Sequence, residues 1–329
     1  MLKQKKTTMI IQGERYINPL TDFGFKRIFG SPFNSDLLIS FLNALLDGER
    51  VIKEVKYNNT EKFGSNEWAR KVIFDVYCTT ESGGRFIIEM QNLYQDFFKD
   101  RSIYYSTFPI SEQAKRGDWN YELHDVYTIG ILNFAFPEDK KADDDGIYRE
   151  VKLMDTRTKK VFYDKLTYIY VELENFKKTL EECTTILDKW LFCLRNMQNL
   201  MERPAELQGR IFERLFKTAE IAKFNTNERR EYEVSMNSYR EIKNSMDSAE
   251  RAGMRKGIKK GRKEGREEGL KEGHQKGLKE GRQEGLKEGR EEGLKEGRQG
   301  IAQKMKSEGY PLETISKLTG LDIKEIEEI

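Results

Sequence analysis

Two carboxylates and an amide stand where a hydrophobic strand pair has no structural need of them. Residues 70–91 read RKVIFDVYCTTESGGRFIIEMQ, with Asp75, Glu89 and Gln91 in the order Asp-x13-Glu-x-Gln. Apolar residues alternate on both sides of Ser82-Gly83-Gly84: Val72, Phe74, Val76 and Cys78 before it, Phe86, Ile88 and Met90 after it. Strand side chains alternate between faces, so the even-numbered residues of such a hairpin share a buried side and Asp75, Glu89 and Gln91 share the other. A hard divalent cation suits that set, because Mg²⁺ takes one or two carboxylates together with water and substrate phosphate. The wet face of an ordinary hairpin suits it too, and the pattern alone leaves both readings open. The turn adds a constraint. A three-residue loop at Ser82-Gly83-Gly84, with glycine in its left-handed position, sets Asp75 opposite Gln91 and diagonal to Glu89. A two-residue turn would put the carboxylates on opposite faces.

The flanking pattern is that of an α/β chain. Phe23–Phe29 and Asn34–Leu46 read as helices, the second with Leu38, Phe41, Leu42 and Leu45 at helical spacing and Asn34 or Ser35 as its cap. Val51–Tyr57 alternates like a strand. Phe98–Arg116 reads as a helix that Pro109 kinks or breaks. The apolar run Asp125–Phe134 suits a strand buried on both faces, a charged loop follows at Asp139–Asp145, and Ile147–Asp155 and Leu166–Leu173 suit later strands. Beyond residue 175 the spacing turns helical, with Leu180, Ile186, Trp190, Leu191 and Leu194 on one apolar surface and Ile211, Leu215 and Ile221 on another.

Three segments carry a resemblance: Ile17–Phe29 (INPLTDFGFKRIF), Ile88–Gln91 (IEMQ) and Asp100–Tyr105 (DRSIYY). With Asp75 they resemble the PD-(D/E)xK nuclease core in its Glu-x-Gln form, and more closely the recombination-promoting nuclease and PD-(D/E)xK transposase family. The resemblance covers roughly residues 14–200. It implies a restriction-endonuclease-like core, a central mixed sheet flanked by helices, and a metal-dependent endonuclease that hydrolyses DNA phosphodiester bonds. The implied cofactor is Mg²⁺, with Mn²⁺ as a substitute, held by Asp75, Glu89 and the backbone carbonyl of Met90. Many members of the wider superfamily carry lysine where Gln91 stands; glutamine supplies no charge, but its amide can orient an attacking water. Asp22 would support the metal and Lys26, one helical turn on, would neutralise phosphate, unless the two are only a surface pair. Arg101, Tyr104 and Tyr105 would contact the DNA backbone, with helix packing as the alternative for the tyrosines. Two other functions compete with the nuclease: a degenerate nuclease fold that only binds nucleic acid or a partner, and an interaction scaffold led by the C-terminal repeats.

Composition narrows the classes. The chain is 35% charged yet only +2 overall, so nucleic-acid affinity must come from local patches. Cys78, Cys183 and Cys193 have neither disulfide-framework nor metal-site spacing, and His124 and His274 are too few for a histidine-based centre. Met1–Lys6 is basic without a following apolar h-region, and no apolar run approaches membrane length, so a cytoplasmic protein is expected. Four segments are expected: a nuclease-like core at 14–175, a helical extension at 176–250, a charged spacer at 251–300 with glycine at every fourth residue, and a small helix-turn-helix-like module at 301–329. The spacer holds 16 Lys and Arg against 10 Glu. Successive glycines, and Leu270, Leu278, Leu286 and Leu294, drift round a helix rather than forming a seam. Each glycine costs a helix about 1 kcal/mol, so a frayed, solvated helix in equilibrium with coil is expected. In the last module Ile315, Leu318, Ile323 and Ile326 are expected to face inward. Its second helix holds Asp322, Glu325, Glu327 and Glu328 against Lys324, which favours a protein partner over DNA. Oligomeric state stays open, a dimer included.

Overall fold

Helix α1 (Asp22–Phe29) begins where Thr21 caps it, its hydroxyl accepting a hydrogen bond from the Gly24 N–H at 3.0 Å. The structure is a computed structural model that describes residues 14–62, 72–114, 117–136 and 146–329; the basic stretch at 1–6 and the charged loop at 139–145 lie outside the described residues. The chain divides into two units, Met1–Lys243 and Asn244–Ile329.

In the first unit, α1 buries Phe25, Ile28 and Phe29, and α2 (Ser35–Leu45) buries Leu38, Phe41, Leu42 and Leu45, as the helical spacing requires. Gly24 is dictated by contact: a Cβ there would sit 2.1 Å from the Asn18 carbonyl oxygen. Gly24→Ala is expected to destabilise the protein by about 2–3 kcal/mol, because backbone rather than a flexible side chain must give way. An unchanged urea midpoint would contradict this packing.

The strands are β1 (Val55–Tyr57), β2 (Glu61–Lys62), β3 (Val72–Ile73), β4 (Val76–Thr80), β5 (Arg85–Gln91), β6 (Val126–Leu132), β7 (Tyr148–Met154) and β8 (Val161–Glu172). Six form a mixed sheet in the order β1-β4-β5-β6-β8-β7, while β2 and β3 pair separately. The β5–β6 and β6–β8 pairs are parallel and the others antiparallel. The central strand β6 is buried at every position, as a strand covered on both faces must be. One face packs on α1, α2, α4 (Ile186–Asn196) and α5 (Arg210–Ala219), with Trp190 wholly buried among Phe29, Phe41 and Phe212. Residues beyond 175 therefore share the core of the sheet. The other face takes α3 (Phe98–Ser111), which passes through Pro109 without a break.

The central hairpin differs from expectation in two respects. Val76 pairs with Ile88 and Thr79 with Arg85, and Thr80 N donates to Gly84 O at 2.8 Å, so the loop is Glu81-Ser82-Gly83. Gly83, not Gly84, takes the left-handed backbone (φ 86°), and the loop closes one residue earlier on each side. Extended by one pair, this register sets Asp75 across from Glu89 rather than Gln91. The slip is by two residues, so facing is conserved. The second difference is a break at Phe74–Asp75 between β3 and β4. It turns Val72 and Phe74 onto the α3 side, where Phe74 packs with Tyr77, Tyr105 and Phe108. Val76, Cys78, Phe86, Ile88 and Met90 remain on the side expected of the whole row.

Helix α6 runs from Thr226 to Ser307, 82 residues, its first turns burying Tyr232 and Met236 in the first unit. In the second unit the repeats are helical, and every residue from Glu250 to Arg298 is exposed. A Cβ added at any glycine from Gly253 to Gly300 would meet nothing within 4 Å, so nothing in this chain requires those glycines for packing. Lys260–Glu264, Lys263–Glu267 and Lys276–Glu280 pair along the surface, each worth a few tenths of a kcal/mol. Amides between Arg251 and Lys304 are therefore expected to exchange fast, and a 1–250 truncation to stay folded; slow exchange at low protein concentration would contradict this. Helices α7 (Leu312–Thr319) and α8 (Ile323–Glu328) follow. Asp322 and Glu325 form the reciprocal cap that their spacing suggests. Their small core is Ala302, Ile315, Leu321 and Ile326. Leu318 is 70% exposed and Ile323 38% exposed, contrary to expectation: the left-handed Gly320 turns the chain so that Leu321 fills the space between the helices.

Candidate active site

The break at Phe74–Asp75 is what makes the site. Arg85 N donates to Asp125 O at 2.8 Å and Asn133 N to Gln91 O at 2.9 Å, so odd-numbered residues of β5 aim their main-chain groups at β6. Even-numbered residues aim theirs toward β4. Since β4 begins only at Val76, Met90 N–H has no ladder partner on that side, and it donates to Asp75 Oδ2 at 2.8 Å. Asp75 N–H in turn donates to Glu89 Oε1 at 3.2 Å. The hairpin thus ends in two carboxylates, each fixed by a backbone N–H of the other's strand. The Met90 carbonyl points to the same side as its N–H.

Three elements surround the pair. From α1, Lys26 Nζ lies 2.7 Å from Asp22 Oδ1 and 3.9 Å from Asp75 Oδ1. From α3, Arg101 donates to Gln91 Oε1 through Nη2 and to Gln95 Oε1 through Nη1 at 2.8 Å. Gln91 Nε2 donates to Leu93 O at 3.0 Å, so both ends of its amide are engaged. From β6, Gly130 pairs with Glu89, and a Cβ there would crowd Phe98 of α3 and Tyr170 at 3.2–3.3 Å. Glycine lets α3 approach the strand that carries Glu89. Thr128 lines the same niche, and its buried hydroxyl lacks a hydrogen-bond partner among the described residues. Neither Gly130 nor Thr128 belongs to the motif; an isolated glycine inside an apolar strand run was the one available signal.

Burial sets the electrostatics. Glu89 is 9% exposed. Burial first, then repulsion from Asp75, pushes its pKa up to about 8. Burial likewise raises Asp75, with Asp22 adding to it, while the Met90 N–H, Lys26 and Arg101 act against the rise. Burial alone would lower Lys26, but its bond to Asp22 and the charges of Asp22, Asp75 and Glu89 outweigh it, so Lys26 is raised. The pair is costly to ionise without a further cation.

The structure brings Asp75, Glu89, Met90, Gln91, Lys26 and Arg101 together. Asp22 meets the cluster through Lys26, with its own side chain 66% exposed. Tyr105 packs against Phe74, and Arg101 lies over its ring at 5.6 Å; Tyr104 is on the outer side of α3 and half-exposed. Among the described residues no three His, Cys, Asp or Glu converge as a ready-made metal cluster. Two carboxylates, a backbone carbonyl and solvent nonetheless form an all-oxygen donor set, which fits a hard divalent cation.

A mixed six-stranded sheet flanked by helices, with Asp and Glu-x-Gln at the open end of a hairpin, is the architecture of the PD-(D/E)XK fold class. The family model for PD-(D/E)XK nuclease family transposases matches residues 19–249, and the chain belongs to that family. Neither a curated protein nor a solved structure matches the chain. Membership supports a function of nuclease or transposase type and DNA as the substrate class. Among the described residues no helix is long and apolar enough to cross a membrane.

Proposed function

We propose that this protein is a metal-dependent DNA endonuclease whose active site is Asp75, Glu89 and Gln91, served by Lys26 and Arg101. The observation that carries the reading is the pairing of the partly buried Asp75, at the β3–β4 break, with the buried Glu89 of β5, both raised above their ordinary pKa. Asp75, Glu89 and the Met90 carbonyl would hold Mg²⁺ or Mn²⁺. Bound there, such a cation supplies charge neutralisation at the scissile phosphate and a more acidic water.

The chain's own residues do the rest. Asp75 and Glu89, both raised above their ordinary pKa, would lose a proton on holding a cation. Lys26, with Asp22 holding its ammonium, faces a non-bridging phosphate oxygen. Gln91 works by holding: its oxygen fixes the Arg101 guanidinium beside Glu89. The positive charge that a lysine at position 91 would bring is supplied from α3. The free, buried Cys78, Cys183 and Cys193 support a reducing, cytoplasmic setting.

The test is conversion of supercoiled plasmid to nicked circles. Cleavage is expected with Mg²⁺ or Mn²⁺ and none with EDTA. No cleavage with either metal would leave a nuclease fold that only binds.

A further inference from the structure

Beside the catalytic pair the first unit holds an open cleft of about 1500 Å³, walled by α1, the loop after it, α5 and the first turns of α6. Its lining has seven Lys and Arg against three Asp and Glu. Lys26, whose ammonium lies 3.9 Å from Asp75 Oδ1, is part of its lining, so the cleft adjoins the hairpin carboxylates through that residue.

The walls are fixed to one another. Tyr232 Oη accepts from Asn18 N at 2.9 Å, Ser235 Oγ accepts from Phe23 N at 3.1 Å, and Arg27 pairs with Glu228. Arg27, Arg214, Lys217 and Lys223 are used in pairs with carboxylates. Arg210 on α5 and Arg230 on α6 are exposed and have no ion-pair partner among the described residues. Two unpaired guanidiniums therefore face the cleft from two helices. An aromatic ring stands with them. Phe33 is 79% exposed on the cleft wall, with the Arg214 guanidinium 4.8 Å from its ring centroid. The ring belongs to none of the apolar clusters of the first unit. Backed by a cation and set among guanidiniums, it has the form of a stacking platform for an unpaired base.

We propose that this cleft is the path of a single-stranded DNA segment flanking the scissile phosphate, with Arg210 and Arg230 on its phosphates and one base stacked on Phe33. The proposal rests on the nuclease reading only for its direction toward Lys26. A duplex would satisfy the arginines but keep its bases away from Phe33, so the exposed ring decides between them.

The experiment is fluorescence anisotropy of the full-length protein with a fluorescein-labelled single-stranded oligonucleotide, in EDTA, over a range of NaCl. Each phosphate contact contributes about −0.7 to the slope of log affinity against log salt. The double variant Arg210→Gln/Arg230→Gln is expected to bind at least about tenfold more weakly, with a slope shallower by about 1.4. Phe33→Ala is expected to weaken binding by roughly 5–100-fold, the worth of one stacked base, with the slope unchanged. All three residues are exposed, and circular dichroism checks that the variants stay folded. Wild-type affinity and slope in the double variant would overturn the cleft as a DNA path. Equal effects of Phe33→Ala on duplex and single strand, or no effect on either, would overturn the stacked single strand. Because no metal is present, failure of the plasmid assay with Mg²⁺ or Mn²⁺ would overturn the nuclease and leave this result standing on its own.

Discussion

Asp75→Ala and Glu89→Ala are each expected to lower metal-dependent plasmid cleavage by roughly a hundred- to a thousandfold, while circular dichroism and the thermal transition show a folded protein. Loss of one preorganised charge-stabilising group costs about 10²–10³ in rate. Here each substitution removes a proposed cation ligand but leaves the backbone N–H that holds the other carboxylate, that of residue 75 on Glu89 and that of Met90 on Asp75, so the remaining carboxylate keeps its place. Folding should survive, because the pair lies at the open end of the hairpin, beyond the last ladder partners Val76 and Ile88. If both variants nick plasmid at the wild-type rate, the active site lies elsewhere.

The second large effect is on the stability of the metal-free protein. A carboxylate whose folded pKa is raised binds its proton more tightly folded than unfolded. Its contribution is fully present below the unfolded value near 4.5 and is lost as pH rises through the folded value of about 8 for Glu89. In EDTA the protein is therefore expected to lose stability between about pH 5 and pH 8, each tenfold difference in proton affinity between the folded and unfolded chains being worth about 1.4 kcal/mol. Glu89→Gln keeps an oxygen for the Asp75 N–H but cannot ionise. At pH 8 it is expected to be more stable than wild type by about 2 kcal/mol, with a flatter pH profile. Thermal melts of both proteins across this range decide the matter. Wild type growing more stable toward pH 8 would mean the carboxylates are well solvated, and that the site is not strained toward a cation.

The convergence of Asp75, Glu89 and Gln91 was legible because strand parity does not depend on loop detail. Residues at Asp-x13-Glu-x-Gln share a face for any even slip, so a loop misplaced by one residue still brought Asp75 and Glu89 together. What parity could not reveal was the interruption at Phe74–Asp75. Continuous alternation from Val72 to Cys78 looks like one strand; the pairing of β3 with β2, away from the main sheet, breaks it. That tertiary preference carries Val72 and Phe74 to the α3 side and gives Asp75 its bond to Met90. The role of Arg101 was also hidden. Its spacing to the tyrosines suggested DNA contact, but its bond to Gln91 depends on how α3 crosses β5, which Gly130 permits. The cleft between α5 and α6 had no local signature, since Phe33, Arg210 and Arg230 are far apart in the chain. In the C-terminal module, Leu318 and Leu321 are equally apolar, and only the left-handed Gly320 decides which one is buried.

The most direct measurement of the central claim is a calorimetric titration of Mn²⁺ into metal-free protein, wild type beside Asp75→Ala, at pH 8. One site per chain is expected in the wild type, with proton release as Glu89 ionises, and its loss or at least about tenfold weakening in the variant. Equal binding by both proteins, or no binding by the wild type, would contradict a divalent-cation centre at Asp75 and Glu89.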